Sequence, residues 1–249
     1  MRPPPPLAGV MAAAWHLDAD LAILPAMHPV AQSIVTALAA HADPARAEGM
    51  VAYMRGQFAF FGIQTPVRRA LTRPFIREAR PADELFAIAA DLWAQPEREC
   101  QYVGSDLLAR QWRALDAAHM PAVIELARGK AWWDTVDALA GVVGDVLRPV
   151  PAEAARQMDA AVAHPDKWVR RIAMLHQLGW RGDTDAVRLF GYALRLAPEP
   201  DFFIRKAIGW ALRDYARHDP AAVGDFLARH AGVLSPLTRR EAGKHLPPG

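Results

Sequence analysis

Three helix-forming segments that open on aromatic residues recur at a constant spacing, and this repeat constrains the fold more than any other feature. Trp133, Trp168 and Phe203 are each 35 residues apart, and their segments read AWWDTVDAL, KWVRRIAML and FFIRKAIGW. Such a period is typical of helix-pair repeats that stack into a curved solenoid. Ordinary helices and loops also give helix pairs of about 35 residues, so the spacing favours repeats and leaves a simple bundle open.

The pattern of helix after helix covers the chain from His28 onward. Apolar residues recur every three or four positions in VAQSIVTALAAHA, DELFAIAADLWA, ECQYVGSDLLARQWRAL and WWDTVDALAGVVGDVL, as in helices buried on one face. Prolines such as Pro44, Pro66 and Pro220 stand near predicted helix starts, where a missing N–H costs nothing. The sequence has no alternating strand run and no Asn-Gly hairpin signal. It therefore predicts an all-α solenoid of HEAT-like antiparallel helix pairs with a concave binding face.

Length and composition exclude several classes of protein. The 249 residues are 52% apolar and 22% charged, which is ordinary for a globular protein. The sequence has no uninterrupted run of 18 apolar residues, the length needed to cross a bilayer. The single cysteine, Cys100, excludes an internal disulfide and a cysteine-based metal site, and it indicates the cytoplasm. No nucleotide-binding glycine motif or paired metal-ligand spacing of histidines occurs. We expect no metal and no cofactor.

The N-terminal 26 residues differ from the rest of the chain. They begin with a proline run, and Asp18 and Asp20 interrupt the weakly apolar stretch that follows. This is a poor signal peptide, because no clean apolar segment of the needed length is present. We expect residues 1–26 to be a flexible extension and residues 27–249 to form a single HEAT-like repeat domain.

Aromatic and charged residues alternate on one side of the repeated helices. Trp133 and Asp137 share a face at a spacing of four residues, and Phe203, Lys206 and Trp210 form a stripe. Charges on an inner face are costly, so they usually mark a site. Two structural explanations stay open here: the tryptophans could be core residues, and Asp137 with Arg171 could be a buried structural ion pair.

Five segments carry a resemblance to a known family. They are YMRGQFAFFGIQTPVRRAL (53–71), WWDTVD (132–137), KWVRRIAMLHQL (167–178), FFIRKAIGWALRDYA (202–216) and SPLTRREAGKHL (235–246). In this order they resemble the AlkD-type DNA alkylation repair proteins. The resemblance implies a HEAT-like solenoid that binds duplex DNA in a basic groove and acts as a monofunctional glycosylase on N3- and N7-alkylated purines, without flipping the base.

The resemblance also assigns roles to individual residues. Asp137 matches the catalytic aspartate, Trp133 and Trp210 match two sugar-contacting tryptophans, and Arg171 matches an arginine near the lesion backbone. Tyr53 and Gln64 match groove-lining positions, and Arg213 matches a basic position beside the DNA.

The remaining candidates for DNA binding come from basic clusters and from one helix start. Clustered Arg and Lys suit phosphate contacts, and a helix N-terminus can take a phosphate. These candidates are Thr65, Arg68, Arg69, Arg170, Lys206, Arg239, Arg240 and Lys244. The partner predicted is double-stranded DNA with alkylated purines, bound by a monomer in the cytoplasm at the nucleoid. The alternative is a non-catalytic HEAT-like scaffold that binds DNA or protein.

Overall fold

The computed structural model describes residues 26–246, which contain thirteen α-helices, four short 3-10 helices and no strand. The helices are α1 (Pro29–Ala39), α2 (Pro44–Tyr53), α3 (Thr65–Arg77), α4 (Ala82–Ala94), α5 (Arg98–Arg110), α6 (Met120–Arg128), α7 (Trp133–Leu147), α8 (Pro151–Ala161), α9 (Lys167–Leu175), α10 (Ala186–Leu196), α11 (Phe202–Ala216), α12 (Pro220–Arg229) and α13 (Pro236–Ala242). The predicted all-α class is confirmed. The extension predicted for residues 1–26 lies, except for Ala26, outside the described residues. None of the helices in the described part is long and apolar enough to span a membrane.

The helices form two compact units, with the boundary between Gly129 and Lys130. Within each unit the odd-numbered helices stack on one another: α1, α3 and α5 in the first unit, and α7, α9, α11 and α13 in the second. In the second unit α8, α10 and α12 pack against this layer. Stacking of every second helix is the arrangement of a helical repeat protein. The single repeat domain predicted over residues 27–249 stays a prediction.

Aspartates and prolines fix where most of the helices begin. The side chain of Asp166 accepts the backbone N–H of Trp168, and the side chain of Asp201 accepts those of Phe203 and Ile204. Each bond satisfies an N–H group that has no partner inside the helix. The predicted proline positions agree, because Pro44, Pro66, Pro121, Pro151, Pro220 and Pro236 occupy the first turn of their helices.

The repeat predicted from the aromatic residues exists, but its alignment was wrong by one residue in the first copy. The helices α7, α9 and α11 begin at Trp133, Lys167 and Phe202, so Trp133 aligns with Lys167 and not with Trp168. The ring that packs against Trp168 and Phe203 is Trp132, with centroids 5.9 and 5.1 Å away. Trp132 lies just before α7, whereas Trp168 and Phe203 lie inside α9 and α11. Alignment of the three sequence segments therefore could not show that Trp132 is the residue that packs with them.

A glycine allows α7 and α9 to approach closely. A Cβ atom on Gly144 would lie 2.0 Å from the carbonyl oxygen of His176, at the end of α9. Any larger residue would force the two helices apart. This contact sets how α9 lies against α7, and each of these helices carries one of the two charged residues of the candidate site.

Candidate active site

The centre of the candidate site is an ion pair between α7 and α9. Arg171 donates from Nε to Oδ1 of Asp137 at 2.6 Å and from Nη2 to Oδ2 at 2.7 Å. Arg171 is 2% exposed, whereas 18% of the Asp137 side chain remains exposed. The carboxylate is therefore fixed by a two-point contact and is still open to solvent on one side.

Burial and charge act in opposite directions on Asp137. Burial raises the pKa of its carboxyl group above the ordinary value, while the hydrogen bonds and positive charge of Arg171 lower it, and the nearby charge of Asp134 raises it. Burial has the largest effect, so the pKa is raised. Such a carboxylate binds a proton more readily than an exposed aspartate does.

Three aromatic residues pack together near Arg171, the residue that pairs with Asp137. The aromatic trio consists of Trp132, Trp168 and Phe203, and the last two have centroids 5.0 Å apart. The carbonyl oxygen of Phe203 accepts a hydrogen bond from Nη1 of Arg171. The trio thus packs the first turn of α11 where its backbone can hold the guanidinium, which in turn orients Asp137.

Trp210 lies among cationic side chains. The guanidinium carbons of Arg171 and Arg213 lie 5.7 and 5.8 Å from its ring centroid, and Nζ of Lys206 lies at 5.6 Å. Cations at this distance from an indole are attracted to the π-system. The structure therefore brings together three of the residues predicted as catalytic, namely Asp137, Arg171 and Trp210.

A second carboxylate, Glu241, pairs with two of the cations that lie near Trp210. Lys206 Nζ lies 3.1 Å from Oε1 of Glu241, Arg213 Nη1 lies 3.2 Å from Oε2, and Lys244 Nζ lies 2.9 Å from both oxygens. We call these four residues the Glu241 cluster. Hydrogen bonds and positive charge from the lysines lower the pKa of Glu241 to about 2, so it is ionised at neutral pH. The cluster therefore carries a net charge of +2.

The position of Glu241 depends on how α13 packs against α11. A Cβ atom on Gly209 would lie 2.5 Å from Cβ of Glu241, so only glycine permits this approach. The side chain of Ser235 caps α13 through the N–H of Thr238, and the Thr238 hydroxyl donates to the carbonyl oxygen of Arg205. Sequence reasoning missed both Glu241 and Gly209. The signal for Glu241 was a single acidic residue among basic ones in the segment RREAGK (239–244).

The other predicted residues are distributed over both units. Trp133 is the first residue of α7 and half-buried, on the same helix as Asp137. In the first unit Tyr53, Gln64, Thr65 and Arg69 are exposed around the end of α2 and the start of α3. Arg68 is 6% exposed and lies over the ring of Tyr102 at 4.7 Å, and its Nε has no hydrogen-bond partner. Tyr53 is the last residue of α2. The others lie in the odd-numbered helices α3 and α7, or, for Gln64, directly before α3.

Three cations of the second unit that were predicted to bind DNA lie outside the Glu241 cluster. Arg170 donates to both oxygens of Glu199 at 2.7 Å and to the carbonyl oxygens of His164 and Pro165 at 2.7 Å. All its nitrogens are thus engaged within the protein, so the structure does not add it to the cations around Trp210. Arg239 and Arg240 are exposed on α13. No group of three potential metal ligands occurs among residues 26–246.

The family model and the solved structure that match this chain carry the same description. The family described as DNA alkylation repair enzyme matches residues 34–246 of the chain. A solved structure described as a predicted DNA alkylation repair enzyme from Enterococcus faecalis is 32% identical in sequence, with a TM-score of 0.79. The similarity covers 84% of this chain and 98% of that chain. No protein of curated function matches the chain significantly.

Proposed function

The chain belongs to the DNA alkylation repair enzyme family, and from this premise we propose that it is a monofunctional DNA glycosylase. Its substrates are cationic N3- and N7-alkylated purines, such as N3-methyladenine and N7-methylguanine, in duplex DNA. It hydrolyses their N-glycosidic bond as a monomer, with no metal and no cofactor, and without flipping the base.

The observation that carries this proposal is the carboxylate of Asp137, which is fixed by Arg171 but still open to solvent. A buried ion pair adds little to stability, and a hydrophobic pair of similar volume often replaces it without loss. Here Arg171 is almost completely buried near the ring of Trp210, while part of the Asp137 side chain stays exposed. A pair made for stability alone has no need of this asymmetry, whereas a catalytic carboxylate must reach its substrate.

The chemistry of the substrate suits a site with one carboxylate. An N3- or N7-alkylpurine is already cationic, so when the C1′–N bond breaks the base takes the bonding electrons and leaves as a neutral molecule. No general acid is needed. The remaining sugar has oxocarbenium character, and water adds to C1′ with loss of one proton, which leaves an abasic site. Asp137 stabilises the positive sugar and accepts the proton from water.

Each neighbour of Asp137 has its own part in this reaction. Arg171 orients the carboxylate through its two hydrogen bonds, and its positive charge opposes the rise in pKa that burial causes. Trp133 and Trp210 present indole faces to the cationic sugar. The phosphate contact expected for Arg171 remains a proposal, and its burial in the pair makes orientation of Asp137 its first role.

Cations in both units are proposed to hold the DNA backbone. In the second unit these are Lys206, Arg213 and Lys244 beside Trp210, together with the exposed Arg239 and Arg240. In the first unit Arg68 and Arg69 follow the start of α3, where backbone N–H groups at Gln64 and Thr65 add to the attraction for phosphate. We leave Arg170 out of this interface because its nitrogens are engaged within the protein.

Release of free bases from methylated duplex DNA tests the proposal. Under single-turnover conditions the wild-type protein releases methylated purines, and Asp137→Asn lowers the rate by about 10²–10³-fold, which is the range for loss of one electrostatic contact to a transition state. Asp183→Asn is the matched control, because Asp183 also pairs with an arginine, Arg148, across one repeat but at the surface. It should keep the wild-type rate.

Two results would contradict the proposal. If Asp137→Asn keeps the wild-type rate, the mechanism assigned to the carboxylate is wrong. If the wild-type protein binds duplex DNA in a salt-sensitive manner but releases no base from any methylated substrate, the chain is a scaffold that recognises DNA without repairing it.

A further inference from the structure

The Glu241 cluster holds more positive charge than its carboxylate neutralises. Three cations surround one carboxylate at 2.9 to 3.2 Å, so two positive charges remain uncompensated within the cluster. A cluster built for stability alone would approach neutrality, because like charges held close together repel. An excess of positive charge at a fixed place is suited to binding an anion.

The exposure of the four side chains shows which of them face solvent. The Glu241 side chain is 6% exposed, whereas the side chains of Lys206, Arg213 and Lys244 are 25%, 23% and 46% exposed. The carboxylate is therefore hidden and the cations form the outer layer above it. An anion that approaches from solvent meets the cations first and does not meet the carboxylate.

The chain arranges these cations next to the predicted sugar-contacting tryptophan. Lys206 and Arg213 lie seven residues apart on one face of α11, with Trp210 between them and its ring within 6 Å of both charges. Lys244 comes from the 3-10 helix Gly243–His245 after α13. Glu241 links the cation from this second element to those of α11, and Gly209 provides the space for it.

We propose that Glu241 is a positioning residue that holds Lys206, Arg213 and Lys244 as a preformed site for a phosphate group of duplex DNA beside Trp210. The proposal rests on the DNA binding proposed above and adds a role for an acidic residue in it. With the cations already ordered, a backbone phosphate gains their attraction without the entropic cost of fixing three long side chains.

The sign of one substitution separates this role from the ordinary effect of charge. Removal of a negative charge near DNA strengthens binding when that charge only repels the backbone. A positioning role has the opposite effect, because the cations lose their common anchor. We expect Glu241→Gln to weaken the binding of unmodified duplex DNA about 5–10-fold. The fall of the logarithm of the association constant with the logarithm of salt concentration should become less steep by about one unit, because one phosphate contact is lost.

The control is Asp159→Asn in the same unit. Asp159 pairs with Arg188 and accepts the hydroxyl hydrogen bond of Tyr192, so the substitution also removes one partnered carboxylate and changes net charge equally. It should leave the affinity and the salt slope at the wild-type values. A folded Glu241→Gln protein that binds DNA as tightly as wild type, or more tightly, overturns the proposal.

Two further measurements keep the test decisive. If Glu241→Gln does not fold, Lys244→Gln removes the most exposed cation of the site, and wild-type affinity in that variant overturns the proposal. Base release at saturating protein is measured in parallel. Weaker DNA binding by Glu241→Gln supports the phosphate site even where wild-type protein releases no base, so failure of the glycosylase proposal is distinguishable from failure of this one.

Discussion

Loss of the Asp137 charge should destabilise the protein because it leaves Arg171 buried without a counter-charge. Removal of one partner from a buried ion pair costs about 3–5 kcal/mol. The lower end applies here, since Asp137 is 18% exposed and Phe203 still accepts one hydrogen bond from the guanidinium. A loss of about 3 kcal/mol in Asp137→Asn corresponds to a fall in Tm of about 6–12 °C for a chain of this size.

Thermal and urea unfolding measure this effect, and a double variant tests its cause. Asp137→Leu with Arg171→Met removes both charges and should recover at least half of the lost stability, since no unpaired charge remains. Asp183→Asn, which breaks a surface pair, should cost less than about 1 kcal/mol. If Asp137→Asn is as stable as wild type, or if the double variant is less stable than the single one, then the buried Arg171 does not depend on Asp137 as its counter-charge.

Two further predictions concern the packing and the charges around the site. Gly144→Ala should lower the free energy of unfolding by about 1–3 kcal/mol, because its Cβ would lie 2.0 Å from a backbone oxygen. The control is Gly141→Ala on the same helix, whose Cβ would have no other atom within 4 Å. In urea unfolding this control should be as stable as wild type or more stable. The pKa of Glu241 is lowered from 4.5 to about 2, so its contribution to stability is complete above pH 4.5 and is lost as pH falls towards 2. The difference in unfolding free energy between wild type and Glu241→Gln should therefore narrow below pH 4.5, and a constant difference would refute this.

The sequence predicted the helices well, because they follow from local patterns. Apolar spacing marks the helices, and a proline or an aspartate marks the start of most of them. The structure brings together Asp137 of WWDTVD, Arg171 and Trp210 of KAIGW, and the roles that the resemblance gives them stay predictions. The exchange of Trp132 for Trp133 in the aromatic trio was not predictable, since it depends on where α7 begins relative to α9. Glu241 was missed for a similar reason: its role depends on the close approach of α13 to Gly209, which no local pattern encodes.

The charged contacts of the second unit follow the spacing of the repeat. Polar bonds join residues about one repeat apart at several places, including Arg148 with Asp183, Lys167 with Asp201 and Asp159 with Tyr192, at separations of 33 to 35 residues. The pair of Asp137 and Arg171 has the same separation of 34 residues but is far more buried. An ion pair between neighbouring repeats is therefore an ordinary link of this fold, and burial beside an indole is what distinguishes the candidate catalytic pair. Exposed links should then tolerate substitution without loss of base release, whereas this buried link should not.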